Sequence, residues 1–245
     1  MRSFWSDPFL WIHLSGAAAL PIFLGLCLLG LAVGSPLLPV WLEVFLVGVA
    51  GIAPVLWMQW FRPFYIFSIL VVAVKPQNLT PSQQRILTRF KTKLNQGIAF
   101  FVAVLLAVIL WQLYRLAPLA AGVAPFPPSW RWAGLLLAAS AFLASNLFLQ
   151  VSASVMAVLL TPESEFAATK PHVVEKIRQD FTIAGWQVDR LLPAFAGETT
   201  VAEAAPAESI GPAEGIRNSS AGSIVNPKPA DTNGTASLPQ QSIEK

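Results

Sequence analysis

Four long apolar stretches in the first 160 residues leave this chain few folds to choose from. They run over residues 9–33, 38–60, 97–114 and 132–160. A bilayer core of ~30 Å is crossed by about 20 apolar residues rising ~1.5 Å each. Lipid offers the backbone no hydrogen-bond partners, so such stretches must satisfy their own N–H and C=O groups as helices. The expected fold class is an all-α integral membrane protein with four transmembrane helices.

Each stretch carries one complication. The first is interrupted only by His13, Ser15 and Pro21. It is too long for the apolar core of a signal peptide, and its leading segment has only Arg2, opposed by Asp7, so it reads as a retained span. Gly34-Ser35-Pro36 then turns the chain. The second stretch contains Glu43, and an acid at a helix centre costs about 2.5–3.5 kcal/mol. Eleven Leu, Ile, Val and Phe residues between Leu38 and Leu56 outweigh it at about 0.3–0.6 kcal/mol each. The fourth stretch has 29 residues and must tilt, kink or leave the membrane near Asn146–Gln150. Phe64–Val74 is apolar but too short to cross. It suits an interfacial or re-entrant segment, or a second helix bent at Pro63. Seven of the eleven Trp and Tyr residues fall near the ends of the runs, where amphipathic rings meet headgroups.

Charge divides the chain. Charged residues make up 12%, against about 25% in an ordinary soluble protein. Residues 1–160 hold nine Lys and Arg against two acids, a net +7; residues 161–245 hold seven against eleven, a net −4. The overall positive charge is therefore no sign of nucleic-acid binding, and no such partner is expected. The lone Cys27 can form neither an intrachain disulfide nor a metal set. No cofactor is expected.

Orientation follows from the short connections. Arg62, Lys75, Arg85, Arg89, Lys91 and Lys93 lie between the second and third spans with no acid among them. Only Arg115 and Arg131 lie on the other side. The positive-inside rule places the loop 61–96 and both termini in the cytoplasm. Within that loop, Thr80-Pro81-Ser82-Gln83 reads as a capping box that opens a helix with proline at its first position. Ile86, Leu87 and Phe90, continued by Leu94, form an apolar stripe; Arg85, Arg89 and Lys93, four apart, form a basic one. This amphipathic helix either rests among anionic headgroups or docks an acidic partner, such as the chain's own acidic C-terminal part.

Ionisable groups inside spans are functional candidates by default. There are two, His13 and Glu43, expected at opposite ends of the membrane and so unable to form a proton relay. Glu43 could reach the far interface or pair with Arg115 or Arg131. Gly134, Ala138, Ala141 and Ser145 mark a small-residue face on the fourth span, suited to close helix approach. That face serves packing within one bundle or association between copies. Gly30 and Gly34 form a weaker GxxxG pair.

Beyond the spans, residues 161–195 look partly helical. Val173, Val174, Ile177 and Phe181 share one face, with Ile183, Trp186, Val188, Leu191 and Leu192 as further anchors. Thirty-five residues cannot build their own core, so Ile177 and Phe181 are expected to meet the membrane face or a partner. Residues 196–245 lack Phe, Trp and Tyr and are rich in Ala, Pro, Ser, Gly, Glu, Asn and Thr, the composition of a disordered tail.

Four stretches resemble the cyanobacterial low-complexity tail membrane protein family. They are residues 1–14 (MRSFWSDPFLWIHL), 54–68 (PVLWMQWFRPFYIFS), 142–150 (FLASNLFLQ) and 174–182 (VEKIRQDFT). The likeness covers about residues 1–190 and implies an inner-membrane or thylakoid protein of a cyanobacterium. It supplies a place and no activity. No HExxH, GxSxG or P-loop is present. The expected function is a non-enzymatic scaffold or accessory factor binding other membrane proteins, with a subunit of a small oligomeric channel or transporter as the alternative. The expected partners are the lipid bilayer and a membrane protein or further copies of the chain.

Overall fold

The computed structural model describes residues 3–69 and 71–192. Four helical segments are long and apolar enough to cross a membrane: Pro8–Leu31, Val40–Phe61, Lys93–Val123 and Pro128–Leu159. The first is built from α1 (Pro8–Ser15) and α2 (Leu20–Leu31), joined by a tighter 3-10 turn at Gly16–Ala19. Pro21 sits in the first turn of α2, where its missing N–H is harmless. The second is α3 (Val40–Phe61), which stops at Arg62 before Pro63.

Residues 64–74 are neither a continuation of α3 nor a helix. They form a small hairpin, β1 (Ser68–Ile69) antiparallel to β2 (Val72–Val74). Helix α4 (Pro81–Phe90) follows, with both arms of the Thr80/Gln83 capping box made. It ends at Lys91, and Thr92 caps a new helix, α5 (Lys93–Leu116), by accepting from the Asn95 N–H. The break corrects the basic stripe. Lys93 begins α5 and does not continue the face of Arg85 and Arg89, while Leu94 is exposed and leaves the apolar stripe.

The long helix α6 (Arg131–Leu159) runs unbroken and packs against α1, α2, α3 and α5. At ~1.5 Å per residue it exceeds the bilayer core. At its C-terminal end Val155, Val158 and Leu159 enter a second core, separate from that of the bundle. Two short helices, α7 (Glu163–Ala168) and α8 (Val174–Asp180), lead to β3 (Trp186–Val188). This last strand pairs in parallel with β2 and completes a three-stranded sheet in the order β1-β2-β3.

Two apolar cores result. One lies inside the bundle, around Cys27, Leu31, Val47, Leu106, Ala138 and Phe142. The other is a compact head at the α6 C-terminal end, built by Phe4, Phe9, Tyr65, Phe67, Ile86, Leu87, Phe90, Phe166, Ile177 and Phe181. Residues 161–192 obtain a core by sharing that of the loop 62–90. The expected disordered tail, 196–245, lies outside the described residues.

Candidate functional site

Two polar constellations stand out, one at each end of the bundle. At the end away from the head, Glu43 projects from the first turn of α3 and Arg131 from the start of α6. Both are buried, at 0% and 2% exposure, and their charged groups pair directly. Arg131 Nη1 also donates to the carbonyls of Leu31 (2.6 Å) and Val33 (2.9 Å), which close the C-terminal end of α2. Glu43 Oε1 accepts from the Leu37 N–H at 2.9 Å, and Oε2 accepts from the Tyr114 hydroxyl at 3.2 Å. One ion pair therefore ties together the first turn-around, α3, α5 and α6. Of the two arginines that sequence offered to Glu43, the structure selects Arg131.

The small-residue face supports the same end. Gly134, Ala138, Ala141 and Ser145 are all buried. A Cβ added at Gly30 would lie 2.6 Å from Gly134 O and 2.7 Å from Ala138 N. Gly134 and Ala138 are thus spent on backbone-to-backbone contact with α2, and the whole stripe is enclosed within one chain. Gly34 has φ +63 and sits against Pro128 O, so the turn after α2 also depends on glycine. Further along α6, Asn146 Nδ2 donates to Gly51 O at 2.9 Å, next to the loosened backbone ladder at Pro54. Gln150 Nε2 donates to Asn146 Oδ1, while Gln150 Oε1 and the amide of the buried Gln59 have no hydrogen-bond partner among the described residues.

The head is held by charge as well as by its core. Three ion pairs join the basic loop to acids of the C-terminal segment: Arg89 to Glu165 at 2.7 Å, Lys91 to Asp180 at 2.6 Å, and Lys75 to Asp189 at 2.9 Å. Asp180 also meets His172 Nε2 at 3.0 Å. Burial pushes the Asp180 carboxyl upward, but Lys91 and then His172 outweigh it and hold it below the usual range. The hydrogen bond and charge of Lys75 likewise hold the Asp189 carboxyl low. Arg62 donates to the carbonyls of Arg178 (2.7 Å) and Phe181 (3.3 Å), and Thr182 Oγ1 donates back to Arg62 O.

The N-terminal motif belongs to this head. Phe4 packs on Phe166 with ring centroids 4.2 Å apart. Trp5 Nε1 donates to Leu159 O. Asp7 caps α1 by accepting from the Phe9 N–H, and its other oxygen accepts from Gln83 Nε2 of the capping box. Two local cap motifs, distant in sequence, are thereby bonded to each other.

The remaining candidates fall in different places. Ile177 and Phe181 are fully buried in the head core, so they hold it together and are not available as a docking face. Arg89 is half-buried and engaged, and Arg85 is half-buried with its Nε enclosed. Lys93 is exposed. His13 Nδ1 lies 2.9 Å from Phe9 O, its ring faces Phe64, and its carbonyl accepts from Ser152 Oγ. It belongs to the head end, and nothing joins it to Glu43. Sequence reasoning missed the sheet. Its signals were the aromatic and β-branched content of 64–74 and Gly185, which has φ +85 and takes a position where a Cβ would strike Val71 O. Among the described residues no group of three His, Cys, Asp or Glu side chains is placed to hold a metal ion.

Neither a curated protein nor a solved structure matches this chain. A family model does match, that of the low-complexity tail membrane protein-like family, over residues 6–193. The match begins within the N-terminal cap and ends just past the last strand of the head, so it takes in both constellations. A four-span membrane bundle with a head assembled from its loop and C-terminal segment is therefore the form of this chain, which belongs to the low-complexity tail membrane protein-like family.

Proposed function

We propose that this protein is a non-enzymatic membrane scaffold or accessory factor that presents its head to other membrane proteins in the inner or thylakoid membrane of a cyanobacterium. Both termini and the head face the cytoplasm in this reading, because the loop's lysines and arginines mark the inner side. One observation carries it. The C-terminal segment returns to the loop and is clamped there by three ion pairs, which yields a fixed surface and not a loose basic loop. On that surface Trp186 (81% exposed) and Val71 (63% exposed) adjoin, with the Trp186 N–H donating to Val71 O. An exposed Trp is the kind of anchor that partner interfaces use, and Val71 extends the apolar surface beside it. In the membrane, Glu43 and Arg131 are engaged with each other and with backbone groups at the turn after α2, which supports a structural role for the pair.

The second reading, a subunit of an oligomeric channel or transporter, is favoured by the unbonded Gln59 amide and Gln150 Oε1. Co-purification separates the two. Tagged full-length protein, drawn from its native membrane in mild detergent, should bring down a stoichiometric partner that a Trp186→Ser, Val71→Ser double variant loses. A protein that elutes alone as a defined homo-oligomer, and whose reconstituted flux falls on Gln59→Leu, would reverse the order of the two readings.

A further inference from the structure

An open cleft lies between the C-terminal end of α3 and the N-terminal end of α5, lined by Trp60, Lys93, Gln96, Gly97 and Phe100. Its volume is about 450 Å³, within the range of small-molecule sites, ~300–1,000 Å³. We propose that this cleft binds an anionic phospholipid, with the headgroup phosphate on Lys93 and an acyl chain laid over Gly97 and Phe100.

The lining is graded along the membrane normal. Lys93, Gly97 and Phe100 fall at i, i+4 and i+7, on one face of α5. At ~1.5 Å per residue, Gly97 lies about 6 Å and Phe100 about 10 Å deeper than Lys93. The cleft therefore runs from a charged mouth at the end of a span to an apolar floor inside it. Trp60 ends the opposite wall, the depth at which an indole meets headgroups. Gln96 Nε2 donates to Trp60 O at 3.2 Å and ties the two walls together. At Gly97 an added Cβ would meet nothing within 4 Å, so the missing side chain is what opens the cleft and packing does not require it.

Charge selects the occupant. Lys75, Arg89 and Lys91 of the basic loop are paired with acids of the C-terminal segment, and Arg62 is bonded to carbonyls. Lys93 is exposed and has no carboxylate within ion-pair distance among the described residues. Its ammonium is left to face the headgroup layer, where a lipid phosphate is the anion at hand. A free phosphate would have no use for the apolar floor, and a zwitterionic lipid would bring its own cation to the mouth.

The test is native mass spectrometry of the full chain in mild detergent. Phosphatidylglycerol and phosphatidylcholine with the same acyl chains are added in competition. The intact protein should retain one phosphatidylglycerol with about fivefold preference, the factor that one lysine near an anionic headgroup supplies. Lys93→Gln should abolish the preference. Gly97→Leu should abolish retention, with helix content and melting no lower than in the parent, because the position is open and leucine favours the helix. Arg115→Gln, exposed on the same helix at its other end, should change neither. Equal retention of the two lipids by the intact protein would overturn the proposal. So would phosphatidylglycerol held undiminished by Gly97→Leu, or a lipid-free dimer that Gly97→Leu dissociates, which would give the cleft to a second copy.

Discussion

Glu43 and Arg131, 88 residues apart in sequence, pair in the interior of the bundle, and the same guanidinium closes the end of α2. Removing one member of a buried pair leaves the other charge uncompensated, which costs about 3–5 kcal/mol. Glu43→Gln should therefore lower the stability of the purified protein by that amount in mild denaturant. Arg131→Gln should be at least as harmful, because two carbonyls lose their donor as well. Adding the second substitution to the first should cost much less than the sum. Additive effects, or a neutral Glu43→Gln, would mean that the pair does not hold the bundle.

Gly30 and Gly134 meet backbone to backbone, whereas Gly25, on the same helix, faces open space. Gly30→Ala should destabilise by about 1–3 kcal/mol, as overpacking does. Gly25→Ala should be neutral or slightly stabilising, since alanine favours the helix. Thermal melting of the two variants side by side checks this, and equal melting points would remove the small-residue face from α2–α6 packing.

Acid should open the head before the bundle. The Asp180 carboxyl is held below its ordinary value of 3.8 in the folded chain, by Lys91 and His172 acting against burial. A depressed carboxyl adds stability at pH values above its unfolded value, and that stability is lost as pH falls through the folded one. Asp189, exposed, contributes in the same direction through Lys75. Hydrogen-exchange protection of residues 174–188, referenced to the intrinsic rate at each pH, should be flat above about pH 5 and fall below about pH 4. Asp180→Asn should lower the plateau and flatten the fall. Protection that rises on acidification would contradict the ion-pair clamp.

Sidedness can be read with single cysteines, because the one native thiol, Cys27, is buried. On a Cys27→Ala background, Leu119→Cys lies in the connection away from the head and Trp186→Cys on the head itself; both positions are more than 80% exposed. An impermeant maleimide added to intact cells that carry the protein in the inner membrane should label position 119 at once and position 186 only after permeabilisation. The reverse pattern would turn the protein over and put the basic loop outside.

The four spans were legible because length and apolarity decide a membrane helix almost alone, and the Thr80/Gln83 cap because its chemistry is local. The partner of Glu43 was narrowed to two arginines, and only the three-dimensional path of α6 could choose between them. Pairing of the basic loop with the acidic C-terminal part was one of two readings, but the sheet and core of the head were not legible. Tyr65–Phe67 reads as a short apolar run, and Ile177 and Phe181 as a free amphipathic face, until the parallel pairing of β2 with β3 brings residues over 100 apart onto one core. The same blindness made Ile177 and Phe181 look like a docking face. Lys93 was grouped with Arg85 and Arg89 by a spacing of four, which holds only while a single helix continues; the Thr92 cap restarts the count.

That pairing is also the most direct place to test the head on which the proposed function rests. Ala73 and Gln187 are register partners in the parallel pair. Neighbouring strands lie ~4.8 Å apart, inside the ~4.4–6.8 Å Cα separation that a disulfide spans. An Ala73→Cys, Gln187→Cys variant on the Cys27→Ala background should cross-link under mild oxidation in native membranes. A cut between the two positions would then leave the fragments joined until a reductant is added. Fragments that separate without reductant would mean that the C-terminal segment does not close on the loop, and the head would have to be abandoned.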